Sequence, residues 1–172
     1  VVGLAVPVTA SYIICAVIAA PALMHVGVPD YAAHMFVFYY AVLSEVSPPT
    51  ALSPFAAAAI TGGSPYRTTL YSWKYTLPAF LIPFMFVLDP AGVGLLLKGA
   101  PLQTLLTVVT AVIGIAALAG GVQNWFMKAT RPIERGALIA AGLLLVYPGA
   151  TSDAVGFGLV VVVVAMQKLR KT

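Results

Sequence analysis

Charged side chains are scarce in this sequence. Lys, Arg, Asp and Glu make up 8% of the 172 residues, whereas hydrophobic residues make up 61% and the mean hydropathy is +1.01. An ordinary soluble domain carries about 25% charged residues, so this chain could not cover a water-facing surface. The composition predicts an integral membrane protein. In a soluble protein, the net charge of +4 would suggest a nucleic-acid partner. In a membrane protein, basic residues determine the orientation of the helices, so we expect no nucleic-acid partner.

Cysteine and catalytic motifs are lacking as well. Cys15 is the single cysteine, so no internal disulfide can form, and its apolar surroundings are typical of a small buried residue. His25 and His34 are nine residues apart and give no metal-type spacing. The sequence contains no P-loop, zinc spacing or Ser/His/Asp constellation. We therefore expect no enzyme and no organic cofactor.

The chain also lacks an initiator Met and a signal peptide, and it opens abruptly in VVGLAVP. We expect it to be a fragment, the C-terminal part of a longer protein. Nothing in its composition indicates a soluble domain or a low-complexity segment.

Long apolar runs account for most of the chain. A helix needs about 20 mainly apolar residues to cross the hydrocarbon core. Four runs reach or approach this length, and the last third adds two shorter ones: 8–26, 31–60, 75–97 and 102–123, then 136–148 and 155–167. The sequence predicts an all-α membrane protein, with the two short runs as a helical hairpin of which one arm is an interfacial candidate. Small residues along 111–121 and 136–142 favour close helix packing.

Basic residues predict the orientation of these helices. If each long run crosses once and the last two cross as a pair, one side carries Asp30, Asp89 and Asp153 with only Lys98. The opposite side collects the other basic residues: Arg67, Lys74, Lys128, Arg131, Arg135, Lys168, Arg170 and Lys171. Short loops rich in Lys and Arg stay cytoplasmic. We therefore expect loop 61–74 and the C-terminus inside, in a bacterial or archaeal cytoplasmic membrane.

The connections between the runs are turn-like. They include GVPD at 27–30, TGGSPYR at 61–67 and KATRPIER at 128–135. In the last of these, Glu134 is expected to pair with a neighbouring arginine.

The stretch SEVSPPTALSP, residues 44–54, interrupts the second run with a carboxylate, four hydroxyls and three prolines. Proline removes a backbone donor and disfavours helix in the preceding residue, so the helix should break near Ser44–Thr50. Glu45 should face a cavity, a cation or a partner, because a buried carboxylate is costly. The hydroxyls of Ser44, Ser47 and Thr50 are hard donors suited to Na⁺. The alternative is a kinked helix whose hydroxyls cap freed carbonyls.

The N-terminal stretch GLAVPVTAS, residues 3–11, has a similar character. Gly3, Pro7, Thr9 and Ser11 interrupt apolar sequence just before a helix expected over about 10–26, with Thr9 as its N-cap. Such an opening suits the tip of a re-entrant hairpin whose returning arm is that helix. A helix start displaced by truncation is the alternative.

These motifs carry a family resemblance. The order GLAVPVTASY, then an apolar helix, then AAHMFVFYYAVLSEVSPPTAL and AAAAITGGSP resembles the large membrane subunit of tripartite ATP-independent periplasmic (TRAP) transporters. It is most similar to the branch whose small and large membrane subunits are fused and which works with TAXI-type binding proteins. The resemblance is good from Val1 to about Pro90. From Gly92 to Thr172 it is looser and indicates the C-terminal transmembrane extension of that branch.

The resemblance implies a fold and a division of the chain. Its transport domain is half of an inverted-repeat elevator architecture, with a re-entrant hairpin and a discontinuous helix in each repeat. Residues 1–97 would be the C-terminal part of that domain and 98–172 the extension. The expected parts of the first segment are the hairpin tip 3–11, the hairpin arm 10–26, the discontinuous helix 31–60 and a helix over 75–97.

The resemblance also implies a function and a site. The family takes up small organic anions by Na⁺ symport, without ATP, from a periplasmic substrate-binding protein. The Na⁺ ligands carried over are Gly3, Thr9, Ser44, Ser47, Pro48 and Thr50. The substrate residues carried over are Pro7, Thr9, Glu45, Pro49 and Thr50. At the position of Glu45, other branches of the family are apolar.

Partners and alternatives follow from the same comparison. The lipid bilayer and the remaining N-terminal part of the permease, with its fused small subunit, are the other expected partners. Half of any site would lie in that part, so this piece alone should not transport. Two other classes stay open: an ion channel or membrane enzyme that uses Glu45 in a polar cavity, and a structural subunit with a kinked helix.

Overall fold

The computed structural model describes residues 7–147 and 149–170. Within these ranges eight α-helices follow one another and no strand is formed. They are α1 Val8–His25, α2 Asp30–Leu43, α3 Leu52–Thr61, α4 Pro65–Thr76, α5 Ile82–Leu88, α6 Pro101–Gln123, α7 Pro132–Val146 and α8 Ala150–Leu169. Three 3-10 segments complete the described helices: Ser44–Val46, Leu77–Leu81 and Pro90–Leu96.

Helices α1, α6 and α8 are long and apolar enough to cross a membrane, judged by length and composition. Together with the all-helical architecture, this confirms the predicted class, an all-α membrane protein. The chain divides into two compact units, Val1–Pro83 and Phe84–Thr172. The domain boundary expected after residue 97 stays a prediction.

In the first unit, α1 and α2 pack against each other. The turn between them uses Gly27 at φ +93°, a left-handed conformation that glycine adopts without a Cβ clash. The buried side chains of this helix pair are mostly small, so the two backbones can lie close together: Ala20, Ala32, Ala33, Val37 and Ala41.

The start of α1 corrects one expectation. The helix begins at Val8, and Pro7 occupies the N-cap position. Thr9 therefore lies inside the first turn, and its predicted role as N-cap is wrong. The physical reason is that proline, with φ preset near the helical value and no N–H to satisfy, is well suited to a helix start. Residues 3–6 of the expected hairpin tip lie outside the described residues.

Helices α3 and α4 form the rest of the first unit's helical packing. Gly62 ends α3 in the left-handed region at φ +69°, and Pro65 opens α4 at its first position. Residues 61–74 were predicted to be a connecting loop, whereas the structure has a helix over Pro65–Thr76. The Gly-then-Pro pair that closes one helix and opens the next was the signal for it.

The run 75–97 was expected to be one helix, but the structure has several short helical segments there. The segments Leu77–Leu81, Ile82–Leu88 and Pro90–Leu96 alternate between 3-10 and α geometry. Pro78, Pro83 and Pro90 each lack the N–H that a continuous helix needs, which accounts for the interruptions. Apolar length alone therefore overestimated helical continuity here.

In the second unit, α7 packs against both α6 and α8. Their shared core brings together Ala117, Leu138 and Val163, one residue from each helix. Close approach between α6 and α7 depends on glycine: a Cβ at Gly142 would lie 2.8 Å from the Gly114 carbonyl oxygen. This confirms the close packing expected from small residues. The run 155–167 extends to a 20-residue helix, while α7 has 15 residues.

Candidate functional site

The predicted break lies where α2 ends and α3 has not yet begun. After α2, a 3-10 turn spans Ser44–Val46, and Ser47 leaves it in an extended conformation with φ −122° and ψ 149°. Pro48 and Pro49 follow, joined by a cis peptide bond, and Ala51 adopts a left-handed conformation at φ 44° before α3 begins at Leu52. The discontinuous helix expected over 31–60 is therefore two helices with an eight-residue interruption, counted from 44 to 51.

Two serine hydroxyls terminate the first half of this broken helix. Ser44 Oγ donates to the Ala41 carbonyl at 2.6 Å, and Ser47 Oγ donates to the Leu43 carbonyl at 2.9 Å. Both serines are buried, with relative exposures of 0% and 2%. Their hydroxyls thus cap helix carbonyls, as the kinked-helix alternative requires. A hydroxyl carries two acceptor lone pairs besides its one donor, so each oxygen keeps the capacity to bind a cation.

Backbone groups at the break add to these oxygens. The last carbonyls of a helix and the first N–H groups of the next have no intrahelical partner. The Ala51 N–H donates to the Ser47 carbonyl at 3.0 Å, which closes part of the interruption. At the start of α3, Pro54 has no N–H to contribute, and the Leu52 and Ser53 N–H groups make no backbone hydrogen bond to another described residue. The break therefore presents carbonyls from one half and amides from the other.

Glu45 projects from the 3-10 turn and is half-buried. Across residues 7–147 and 149–170, the structure gives its carboxylate no ion pair and no hydrogen bond. A carboxylate in a membrane protein without such a partner is expected to meet water, a cation or a ligand. The expectation that Glu45 faces a cavity, a cation or a partner stays a prediction.

The remaining described site residues lie within the break and at the start of α1. Thr50 is half-buried and has an interaction partner, while Pro48 and Pro49 are exposed. Pro7 and Thr9 are exposed at the start of α1, and in the described structure no hydrogen bond joins them to the break. Gly3 lies outside the described residues. The grouping of the hairpin tip with the break stays a prediction.

The described residues contain no cluster of side chains of the kind that binds a transition metal. In the described part of the chain, no three His, Cys, Asp or Glu side chains lie close enough to hold one. Sodium ions need only oxygen ligands, and serine hydroxyls with helix carbonyls are donors of that kind. Ser44, Ser47 and the adjoining carbonyls fit such an ion chemically.

One polar connection in the first unit was missed from the sequence. Tyr12 Oη lies 3.0 Å from His34 Nδ1, and His34 Nε2 lies 3.4 Å from Asp30 Oδ1. The Asp30–His34 pair has the i, i+4 spacing of a helical contact, which could have been read from the sequence. Its link to Tyr12 crosses from α2 to α1 and has no local signal. His34 therefore has a specific partner on each of its two ring nitrogens.

The second unit contains a cavity of about 400 Å³ with two carboxylates in its lining, Asp89 and Asp153. The Asp89 side chain accepts from the Ala91 N–H at 2.7 Å, and Thr107 also lines the cavity. Asp153 Oδ1 is shielded from solvent and has no hydrogen-bond partner among the described residues. Both aspartates were predicted to lie on one side of the membrane, and both line this one cavity.

Glu134 joins α7 to α8 through a buried network. Its carboxylate accepts from Arg170 Nη1 at 3.1 Å and from Gln167 Nε2 at 3.1 Å. The Arg131 N–H donates to it as well, at 3.0 Å. That backbone bond, followed by the Gln167 bond, lowers the pKa of Glu134 against the opposing effect of desolvation, with help from Arg170. The expectation of a neighbouring arginine is wrong, because the guanidinium that pairs with Glu134 belongs to Arg170, which tertiary packing brings to it.

Gln167 is the central residue of this network and was not anticipated. It is fully buried, and its Oε1 accepts from the N–H groups of Met127 and Lys128 at 3.1 and 3.2 Å. It thereby fixes the loop after α6 to α8 while its amide group holds Glu134. A glutamine near the end of an apolar helix gives no pattern from which a contact forty residues away could be inferred.

These features define a class. The chain is a helical membrane protein with spanning-length helices and a proline-broken helix whose interruption carries buried hydroxyls, which is how many secondary transporters build their binding sites. The comparison with protein families also indicates a transporter. The model of the tripartite ATP-independent periplasmic transporter, DctM component, matches residues 1–91.

The chain therefore belongs to the DctM family, which comprises large membrane components of TRAP transporters. The matched segment contains both the start of α1 and the break at Ser44–Thr50. Neither the curated proteins nor the solved structures yielded a match. Family membership makes the chain a transporter component and implies a periplasmic substrate-binding protein as partner.

Proposed function

We propose that this chain is part of the permease of a Na⁺-coupled secondary transporter that takes up small organic anions. The observation that carries the proposal is the interrupted helix, with Ser44 and Ser47 buried at its break, inside the segment that matches the family. Irregular backbone at membrane depth is tolerated only where protein buries it or a water-filled cavity meets it. Buried hydroxyls whose lone pairs have no donor are suited to bind a cation.

The proposed Na⁺ ligands combine both polar stretches of the first unit. Hydroxyl oxygens would come from Ser44, Ser47 and Thr50, and the Pro48 carbonyl would add a backbone oxygen ligand. The serine hydroxyls already donate their protons to helix carbonyls, so their lone pairs are the groups left to face a cation. Gly3 and Thr9 would complete the set from the hairpin tip.

The proposed substrate position adjoins that of the ion. A carboxylate of the substrate would meet the free amides at the start of α3 and the Thr50 hydroxyl, since helix N-termini favour anions. Pro7, Thr9 and Pro49 would shape the pocket. Glu45 stands near enough in sequence to repel an anion or to pair with a substrate ammonium, which would favour amino acids over simple dicarboxylates.

The proposed cycle is an elevator-like movement of the transport domain. Na⁺ and substrate would bind together at the break. Their binding would lower the free energy barrier to movement of the loaded transport domain across the membrane. A ligand shifts a conformational equilibrium only by its differential affinity for the two states. The Na⁺ gradient would therefore set the direction of uptake.

The finer assignment follows from the resemblance described above. We place the chain in the fused branch that works with TAXI-type binding proteins, in the inner membrane, with loop 61–74 and the C-terminus cytoplasmic. The rest of the permease, including the fused small subunit, would supply the other half of the site. Basic residues concentrated on one side support this orientation.

Reconstitution of the full-length parent in liposomes tests the proposal. Uptake of candidate organic anions is followed with the cognate binding protein present or absent, and with an inward Na⁺ gradient or equal Na⁺ on both sides. The expected result is uptake that needs both the gradient and the binding protein. Uptake that needs neither would overturn the proposal.

A structural role for the break is the second candidate, favoured by the serine-to-carbonyl hydrogen bonds. In that case, the hydroxyls only stabilise a kink and Na⁺ binds elsewhere. The two candidates differ in one measurable respect. Removing a structural hydroxyl lowers stability without changing the apparent affinity for Na⁺, whereas removing a ligand raises the Na⁺ concentration needed for half-maximal uptake.

A further inference from the structure

An open cleft of about 590 Å³ lies in the second unit where α6 ends and α7 begins. Its polar lining includes Asn124, Thr130 and Arg135, and its apolar lining includes Pro132 and Ile139. Among the described residues that line the cleft, Arg135 is the one with a charge. The cleft is therefore cationic and amphipathic, which selects for an occupant that has both an anionic group and an apolar body.

Arg135 has its guanidinium available. It is exposed, and no ion pair or side-chain hydrogen bond engages it within the described ranges. Arg170 offers the contrast, because its guanidinium binds the Glu134 carboxylate and the Ala129 carbonyl. Since Glu134 is buried in that network, it does not neutralise the cleft.

Thr130 supplies a second polar group without a partner. Its Oγ1 is shielded from solvent and makes no hydrogen bond with any described residue. A shielded hydroxyl without a partner costs free energy. Because Thr130 lines the cleft, rotation of its side chain toward a ligand oxygen there would remove that cost. This observation is independent of the charge on Arg135.

The cleft also lies at the right depth. Helix α6 has 23 residues and spanning hydropathy, and it ends at Gln123 where Asn124 turns left-handed at φ +62°. Trp125, 62% exposed, follows directly, as expected at a membrane–water interface where tryptophan is enriched. The polar end of the cleft thus lies at head-group level, and Ile139, two turns into α7, continues its apolar wall.

We propose that this cleft binds the head group of an anionic phospholipid, with Arg135 paired to the phosphodiester and with Asn124 and Thr130 as hydrogen-bonding groups. The apolar wall would receive the glycerol and upper acyl chain. Both leaflets of a bacterial inner membrane contain such lipids, so the proposal does not depend on which side the loop faces.

The test is lipid retention by the full-length protein, measured by native mass spectrometry after titration with phosphatidylglycerol or phosphatidylcholine. We expect phosphatidylglycerol to be retained preferentially. Arg135→Gln should lower this preference about fivefold, the usual contribution of one basic residue at an anionic surface, and Arg135→Lys should restore part of it.

A steric variant makes the location specific. A Cβ added at Gly136, which lines the cleft, meets no heavy atom within 4 Å, so Gly136→Leu should fill the cleft without disturbing the helix. Gly158 on α8 is equally open and lies outside the cleft, which makes Gly158→Leu the matched control. We expect retention to fall in the first variant and to stay at the wild-type value in the second.

Three outcomes would overturn the proposal. One is equal retention of the two lipids by the wild-type protein. Another is unchanged preference in both Arg135→Gln and Gly136→Leu. The third is displacement of phosphatidylglycerol by millimolar inorganic phosphate, which would show that the cleft recognises a free anion and not a lipid.

Discussion

The two units of the chain, Val1–Pro83 and Phe84–Thr172, are built differently. In the first unit, side-chain hydroxyls replace backbone donors at a broken helix. In the second unit, helices α6, α7 and α8 are uninterrupted and pack through glycines. Prolines account for the first pattern, because they remove N–H groups and leave carbonyls to be capped. Small residues account for the second, because they allow backbones to approach. Interrupted helices therefore place polar atoms along a membrane segment, and continuous ones confine polar chemistry to their ends.

The variant with the largest expected effect is Gly142→Leu, which would break the close packing of the second unit. An added Cβ would lie 2.7 Å from Leu118 Cβ and 2.8 Å from the Gly114 carbonyl oxygen. Overpacking of this kind costs about 3 kcal/mol, and backbone contacts leave little room for relief. Thermal unfolding of the full-length protein in detergent measures it.

Gly158→Leu is the control for this prediction, since its added side chain meets open space. If the two variants unfold at the same temperature, glycine-mediated approach of α6 and α7 is not what holds the second unit together.

Gln167→Leu should have the next largest effect. The change keeps side-chain volume but leaves the Met127 and Lys128 N–H groups and the Glu134 carboxylate without their amide partner. Unsatisfied buried groups of this kind cost about 2 kcal/mol. Hydrogen exchange should become faster at the Met127 and Lys128 amides. The control is Gln103→Leu, which changes an exposed glutamine in the same unit and should leave exchange at those amides unchanged. If exchange at the Met127 and Lys128 amides becomes equally fast in both variants, the Gln167 hydrogen bonds are not what protects them.

Ser47→Ala sharpens the role of the first unit. Loss of the Ser47–Leu43 hydrogen bond should cost about 1 kcal/mol of stability. As a Na⁺ ligand, Ser47 should also matter for uptake, with the half-maximal Na⁺ concentration rising about tenfold, equivalent to about 1.4 kcal/mol. Thr50→Ala should act in the same direction. Uptake by the full-length transporter in liposomes, measured against Na⁺ concentration, checks both.

Thr61→Ala is the matched control for Ser47→Ala. Thr61 Oγ1 donates to the Ala57 carbonyl at 2.8 Å, also four residues back, but at an exposed position near the end of α3. Its removal should leave the Na⁺ dependence unchanged. Wild-type Na⁺ dependence in both Ser47→Ala and Thr50→Ala would remove these residues from the ion site.

The smallest expected effect on stability is that of Glu45→Gln. The carboxylate is half-buried and has no partner in the described parts of the chain, so its neutralisation should change stability by about 0.5 kcal/mol or less. Uptake should change in its preference among substrates, most clearly between an amino acid and a dicarboxylate of similar size. A destabilisation as large as that of Gln167→Leu would show that Glu45 has a structural partner.

The sequence predicted best where local chemistry decides the outcome. The break at Ser44–Thr50 was predicted because a Pro-Pro pair forbids a continuous helix whatever surrounds it. The helix over 102–123 was predicted because its apolar length has no other stable form in a membrane, and the structure has it over Pro101–Gln123. The run 75–97 failed because apolar length was given more weight than Pro78, Pro83 and Pro90, which are equally local signals.

Other errors had tertiary causes. The partners of Gln167 and the position of Glu134 depend on how α7, α8 and the preceding loop pack, and residues 33 to 40 positions apart meet there. The Tyr12–His34 contact likewise joins two helices. No periodicity encodes such pairs, since each side chain alone is compatible with many neighbours.

By itself, the amino-acid sequence determined that this is a helical membrane protein, that its second apolar run is broken, and that its family is that of a transporter component. These properties depend on composition, on the covalent limits of proline, and on motif order. Only the tertiary structure decided which carbonyls Ser44 and Ser47 cap and how Gln167 holds a loop. It also decided that Asn124, Thr130 and Arg135 surround one cleft, because long-range packing determines which side chains are near one another.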